Sequence, residues 1–167
     1  MHRAIKGLFI VQGNADSRAC VRLSGASVIF GGEIQNPINN KTNLGTNANL
    51  KGFACEYMTA GTVVILGDPG PFAFSGMTGG IVYQKLTPEM EFDGNELTRR
   101  FAQGAHVCIN KLDNDDLVNI KRLLDHYCQA LIQTHQHDIA DNVSLYIDDE
   151  FLNNYFVKLV PILDEFA

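Results

Sequence analysis

The glycine-rich segment GDPGPFAFSGMTGG (Gly67–Gly80) is the first candidate for chemistry, because glycine-rich loops can bind phosphate through backbone N–H groups. The segment lacks the Gly-Lys-Ser/Thr ending that supplies the lysine and the metal-binding hydroxyl of a phosphate-binding loop. Its glycines also recur at regular spacing with other small residues of the chain. We therefore predict that these glycines shape turns.

Histidines near residue 135 offer a second candidate, since imidazole and carboxylate groups are zinc ligands. His135 and His137 have His126 and Asp138 nearby in the sequence. On a helix, His135 and His137 would point to different faces, so we interpret this cluster as the solvated end of a helix rather than a metal site.

The cysteines offer a third candidate. Cys20, Cys55, Cys108 and Cys128 lie far apart and form no CxxC pair, which excludes a zinc knuckle and a disulfide scaffold. No cysteine has a histidine beside it in the sequence, and an activated thiolate needs such a neighbour. We predict reduced thiols, with Cys20 and Cys55 close enough in principle for a bridge but buried as small apolar groups.

Carboxylates are the remaining candidates. Glu33, Glu56 and Asp68 are the main acids of the first 86 residues, and they do not occupy equivalent repeat positions. A glycosidase needs two carboxylates that converge on one face, so this activity is not indicated. Glu56, beside Tyr57, is interpreted as a surface or interface residue. The sequence therefore predicts no catalytic, cofactor-binding or metal-binding residue, and no cofactor.

Composition narrows the function classes further. Thirteen Lys/Arg and nineteen Asp/Glu give a net charge of −6, and no basic run suits nucleic acid. No apolar stretch approaches the roughly 20 residues of a membrane span, so we expect a cytoplasmic protein. Residues 1–86 carry seven Lys/Arg and four Asp/Glu, whereas residues 87–167 carry six and fifteen. We place a domain boundary at this change of composition.

Residues 1–86 contain an internal repeat that is the most informative feature of the sequence. Gly7, Ala26, Gly61 and Gly80 are separated by 19, 35 and 19 residues. Because 35 exceeds 19 by 16, we interpret this as a 19-residue unit interrupted once by a polar loop at residues 36–51. We expect each residue of this column to lie at a sharp turn, where a positive φ angle favours glycine. At Ala26 we expect that the turn requires only a small side chain.

Apolar residues keep the same spacing, as in the column Phe9, Val28, Val63 and Val82. Short β-prone runs repeated about every 20 residues are typical of a solenoid. We therefore predict a mainly β fold: a right-handed parallel β-helix of about four coils, a single-stranded solenoid with like residues stacked. An antiparallel sandwich with evenly spaced strands is the alternative.

Residues 87–167 are predicted to form a helical C-terminal cap or tail. Apolar residues at helical spacing follow Asp113 or Asn114, either of which can cap a helix that ends near Thr134. Shorter helices are predicted at 139–147 and 149–160. The repeat is already running at Gly7, so we expect an open first coil, explained by truncation, by coils supplied by another chain, or by a homo-oligomer.

The motifs Cys55-Glu-Tyr-Met-Thr59 and Gly76-Met-Thr-Gly-Gly80, together with the run Arg18–Gly32, resemble the GXGXG β-helix domain at the C-terminus of the glutamate synthase large subunit. That resemblance covers nearly the whole chain apart from the 36–51 loop. In that family, glutamine hydrolysis belongs to an amidotransferase domain, and glutamate formation belongs to a barrel that carries FMN and an iron–sulfur cluster. The β-helix is a spacer between them.

The resemblance therefore implies a non-catalytic scaffolding module in nitrogen assimilation, with amidotransferase and FMN-dependent synthase polypeptides as partners. Two alternatives from other classes stay open. One is a small enzyme or ligand-binding protein that uses a groove at the Asn-rich loop, and the other is a self-associating structural protein.

Overall fold

A computed structural model describes residues 4–38 and 47–163. Within these ranges the chain forms six strands and four α-helices. The strands are β1 (Leu8–Val11), β2 (Ser24–Phe30), β3 (Ala60–Ile65), β4 (Ile81–Lys85), β5 (Val107–Asn110) and β6 (Phe156–Pro161). The helices are α1 (Gly94–Thr98), α2 (Asn114–Gln133), α3 (His137–Ser144) and α4 (Asp149–Tyr155), and a 3₁₀ turn covers Pro88–Met90.

The predicted columns of like residues are confirmed by the pairing of β1 to β4. These four strands are parallel neighbours, and Phe9 pairs with Val28, Val28 with Val63, and Val63 with Val82. Val11, Phe30 and Ile65, which have the same spacing, are aligned in the same way. The 19-residue arithmetic therefore gives the correct register between adjacent strands.

The prediction of a mainly β, right-handed parallel β-helix is nevertheless wrong. The strands form one mixed sheet in the order β1-β2-β3-β4-β6-β5, in which β6 is antiparallel to both β4 and β5. With four helices beside this sheet, the fold is α/β. A repeat determines how repeated strands align with one another, but it carries no information about strands contributed by the non-repetitive residues 87–167.

The corner column behaves as the residue types predict. Gly7, Gly61 and Gly80 have positive φ values of 104°, 103° and 87°, whereas Ala26 is absent from the positive-φ residues of the described chain. A Cβ atom added to Gly61 would lie 2.4 Å from the carbonyl oxygen of Ala26. Glycine is needed at Gly61 both for its backbone angle and for the close approach of two strands.

Two apolar layers lie on opposite faces of the sheet. Alternate strand residues such as Val63 and Val82 belong to one layer, and their neighbours Val64 and Tyr83 pack with α2 in the other. Asp113 begins α2 with a capping box that also involves Asp116. The predicted start and end of this helix are confirmed.

The end of the third predicted helix is wrong. The predicted helix at 149–160 stops at Tyr155, and Phe156–Pro161 form β6. Val157 and Val160 are β-branched and suit a strand, and Leu159 pairs with Val82 on β4. The 139–147 prediction corresponds to α3 at His137–Ser144. Of the 36–51 loop, residues 39–46 lie outside the described residues.

None of the helices in the described ranges is both long enough and apolar enough to cross a bilayer.

Candidate functional site

A polar cavity of about 680 Å³ lies where the strand ends meet the loop residues on both sides of the 39–46 segment. This volume is within the range of small-molecule sites. Seven of the described residues that line it carry carboxamide side chains: Gln12, Asn14, Gln35, Asn36, Asn47, Asn49 and Asn142. Carboxamides both donate and accept hydrogen bonds, so the lining suits hydroxyl or amide groups.

A buried ion pair forms one wall of the cavity. The Nε and Nη2 atoms of Arg100 each donate to a different carboxylate oxygen of Asp68 at 2.9 Å, and Arg100 is only 1% exposed. Nη1 contacts Glu96 at 3.4 Å. Burial alone would lower the pKa of the Arg100 guanidinium, but its hydrogen bonds and charge interaction with Asp68 raise it overall. The Arg100 guanidinium therefore carries its charge directly against the Asp68 carboxylate.

Asn49 connects this ion pair to the neighbouring turns. Its Nδ2 donates to Asn14 Oδ1 at 2.8 Å and to the carbonyl oxygen of Glu33 at 3.1 Å, while its Oδ1 accepts from the backbone N–H of Asp68 at 2.8 Å. The buried Asn49 side chain thus holds three segments of the cavity wall in one arrangement.

A second ionic cluster lies at the α3 side of the cavity. The Glu33 carboxylate accepts from the Tyr146 hydroxyl at 2.6 Å and from Asn142 at 3.3 Å, and it lies 3.2 Å from Lys85 Nζ. Lys85 also lies over the Tyr146 ring at 4.9 Å. Burial and the bond to Glu33 raise the pKa of Tyr146. This cluster ties the Glu33 loop to α3.

Two of the cysteines, Cys55 and Cys128, are held as neutral thiols. A hydrogen bond with Cys20, together with burial, raises the pKa of the Cys55 thiol, and burial raises the pKa of Cys128. A cysteine nucleophile requires the opposite shift, because the thiolate is the reactive form. Cys108 is half-buried and donates to the carbonyl oxygen of Val160 at 3.7 Å.

The structure places two of the three carboxylates considered in the sequence analysis at the same cavity. Glu33 and Asp68 both line the cavity, whereas Glu56 does not. His135 and His137 are exposed with ring centroids 6.2 Å apart, and no three His, Cys, Asp or Glu residues of the described chain are grouped to bind a metal.

The glycine-rich segment packs closely against neighbouring backbone. A Cβ atom on Gly70 would lie 2.1 Å from the carbonyl oxygen of Leu50, and one on Gly79 would lie 2.0 Å from that of Thr59. This close approach requires glycine at both positions.

Sequence reasoning missed Arg100 and Asn49. Arg100 lies 32 residues from Asp68 and outside the repeat, so no periodic signal connects them. Asn49 belongs to a loop that the sequence analysis interpreted only as polar. In the structure its side chain packs closely against Gly67, where an added Cβ atom would lie 2.2 Å from Asn49 Oδ1.

Comparison with known proteins agrees with the motifs. A family model described as the GXGXG motif matches residues 1–162. The glutamate synthase [NADPH] large chain of Bacillus subtilis is 36% identical over 159 residues, covering 95% of this chain and 9% of that protein. The ferredoxin-dependent glutamate synthase 2, chloroplastic, of Arabidopsis thaliana is 36% identical, covering 99% of this chain and 8% of that protein.

A third relative, the glutamate synthase [NADH] of Schizosaccharomyces pombe, is 29% identical over 167 residues, covering 96% of this chain and 6% of that protein. The fold is an α/β domain with a mixed sheet, in which the four repeated strands β1 to β4 are parallel. The chain belongs to the GXGXG family and is homologous to a segment of glutamate synthases. It spans less than a tenth of the length of these relatives.

Proposed function

We propose that this chain is a non-catalytic scaffolding module that serves glutamate synthesis by positioning an amidotransferase polypeptide relative to an FMN-dependent synthase polypeptide. The supporting observation is the pattern of matches: at least 95% of the chain aligns with under a tenth of each glutamate synthase. The module would contribute a rigid surface, and its partners would contribute the chemistry.

The state of the ionisable groups supports a structural role. Asp68 is paired with Arg100, and Glu33 is paired with Lys85 and Tyr146. Buried pairs of this kind fix the positions of segments. A general acid or base instead needs a pKa close to the working pH and access to substrate.

A chimera tests this proposal. In one variant of the Bacillus subtilis large chain, the segment that matches this protein is deleted. In the other variant, that segment is replaced by the whole of this chain. We expect the deletion to abolish glutamine-dependent glutamate formation and the replacement to restore it. The replacement carrying Gly61→Val is the control for a misfolded scaffold. Glutamine turnover or stoichiometric FMN binding by the purified chain alone would contradict the scaffolding role.

The cavity favours a second candidate function, binding of a small uncharged ligand rich in hydroxyl or amide groups. The carboxamide lining supports this candidate, and among the charged lining residues Asp68 is already paired with Arg100, and Glu33 with Lys85. Thermal shifts measured with sugars, polyols and primary amides test it. Asn142→Leu should remove any shift, whereas Asn153→Leu on the exposed face of α4 should keep it.

A further inference from the structure

Three consecutive turns of the chain share an uncommon backbone conformation. In each turn, alternate residues adopt left-handed φ angles between 53° and 66°. The residues are Arg18, Cys20 and Arg22 in the first turn, Phe53, Cys55 and Tyr57 in the second, and Phe72, Phe74 and Gly76 in the third. Eight of the nine are not glycine, and each such residue costs about 1–2 kcal/mol. Strain of this kind persists where surrounding structure enforces it, often at functional positions.

Backbone hydrogen bonds hold the turns against one another. The N–H groups of Arg18 and Arg22 donate to carbonyl oxygens of the second turn at 2.8 Å. Phe53 and Tyr57 donate to the third turn at 2.9 and 2.8 Å. The central members of the three turns are at most 2% exposed. The outer members therefore form two rows at the surface.

The side chains in these rows are aromatic rings and guanidinium groups. We call the surface that they form the Arg–aromatic face (Arg18, Arg22, Phe53, Tyr57 and Phe72). The Arg18 guanidinium lies 5.5 Å from the centre of the Phe53 ring, which stacks on Phe72 at 5.1 Å. The Arg22 guanidinium lies 6.0 Å from the Tyr57 ring. Tyr57 and Phe72 remain 51% and 54% exposed.

Gly76 completes the second row with no side chain. A Cβ atom at this position would lie 2.4 Å from Cδ1 of Tyr57. The Tyr57 ring thus lies against Gly76 of the third turn, and about half of the Tyr57 side chain stays exposed. Exposed aromatic rings that are held rigid make a strong contact at low entropic cost.

The charges of the face are incompletely paired. Arg18 is 63% exposed and lies 3.6 Å from Glu56, and Arg22 makes no ion pair within the described part of the chain. Glu56 Oε2 is buried, and its ion pair with Arg18 is its contact among the described residues. A partner that suits the face must therefore bring carboxylates for the arginines and apolar groups for the exposed rings of Tyr57 and Phe72. A polypeptide with both acidic and apolar side chains provides both.

We propose that the Arg–aromatic face is the docking surface for an acidic, partly apolar segment of a partner polypeptide. This inference rests on the proposed function, because the partner is a polypeptide that the scaffold holds. Arginine stacked on an aromatic ring keeps its hydrogen-bonding edge free for carboxylates. The partner's apolar side chains cover Tyr57 and Phe72, and its carboxylates pair with Arg18 and Arg22.

Binding of a synthetic peptide tests the face directly. The probe is a fluorescently labelled peptide of alternating Glu and Leu, measured by anisotropy at low salt, and a Lys/Leu peptide of the same length is the reference. We expect the chain to bind the Glu/Leu peptide preferentially, with affinity falling as salt rises. R18E/R22E should weaken binding at least about tenfold. The matched charge reversal K111E/R122E, on exposed residues elsewhere, should change it less than about twofold.

Equal binding of both peptides, or equal losses in both double variants, would overturn the proposal. Arg18→Glu and Arg22→Glu keep ordinary side chains at the left-handed positions, so thermal unfolding should match the unmodified chain. Light scattering adds a further outcome. A dimer that R18E/R22E dissociates would identify a second copy as the occupant and would contradict the partner assignment.

The chimera separates failure of the face from failure of the scaffold. If the unmodified chimera is inactive while peptide binding depends on Arg18 and Arg22, the scaffolding role fails and the face stands. If the chimera is active and neither its activity nor peptide binding responds to R18E/R22E, the face fails alone.

Discussion

Replacing Asp68 by Asn removes the counter-charge of a buried guanidinium. Arg100 is 1% exposed, and two of its nitrogens lie 2.9 Å from the Asp68 carboxylate. Asn keeps the shape of the side chain and an oxygen that can accept the N–H of Gly70, which lies 2.8 Å from Asp68 Oδ1. The substitution therefore changes charge with little change in packing.

The expected cost follows from burial and from the contacts that remain. Removing one partner of a buried ion pair costs about 3–5 kcal/mol. Arg100 keeps its 3.4 Å contact with Glu96 and its position over Phe92, so we expect the lower end, about 3 kcal/mol. With a urea m value of about 2 kcal/mol/M, the unfolding midpoint should fall by about 1.5 M.

A double-mutant cycle in urea measures the pair itself. We expect D68N/R100M to be less destabilised than the sum of D68N and R100M by at least about 2 kcal/mol, because the double variant buries no unpaired charge. Arg99→Met is the matched control. Arg99 is 48% exposed in its contact with Glu96, so its loss should cost less than about 1 kcal/mol. Additive effects, or equal losses for D68N and R99M, would refute this reasoning.

Three further predictions use other contacts. Gly61→Ala should lower the free energy of unfolding more than Gly104→Ala, because both have positive φ but only Gly61 has a backbone atom within 4 Å of the added Cβ; urea unfolding compares them, and equal losses would contradict the close approach. Burial raises the pKa of Tyr127 from 10.0 to about 12. The stability that its neutral phenol contributes is complete below pH 10 and is lost as pH rises through about 12, so urea midpoints should fall over this window, and less so in Tyr127→Phe. A thiol reagent should modify half-buried Cys108 in the folded chain but Cys55 only after unfolding; early modification of Cys55 would contradict its burial.

The repeat could predict strand alignment because successive units pair in parallel. Residues at equivalent positions of two units therefore lie opposite each other on neighbouring strands. Val28 and Val63 are paired although the 36–51 loop separates them. Nothing equivalent exists for β5 and β6, which occur once each. The segment Phe156–Pro161 has apolar residues that also suit a helix, and it becomes a strand because the edge of β4 offers backbone partners.

The left-handed turns could not be predicted from residue types. Arg, Phe and Tyr have no preference for positive φ, and only Gly76, in the same repeat column as Arg22 and Tyr57, hints at it. The stacked hydrogen bonds between turns impose the conformation instead. The Asp68–Arg100 pair was equally hidden, because a single long-range contact leaves no periodic pattern.

The fate of glutamine nitrogen in the chimera tests the scaffolding role most directly. The measurement is free ammonia released per glutamine hydrolysed by the Bacillus subtilis enzyme with its matched segment deleted, or replaced by this chain with or without Gly61→Val. A module that positions the two catalytic polypeptides should give little free ammonia in the replacement. Both the deletion and the Gly61→Val replacement should release most of the glutamine nitrogen as ammonia. Equal ammonia release in all three proteins would contradict the account.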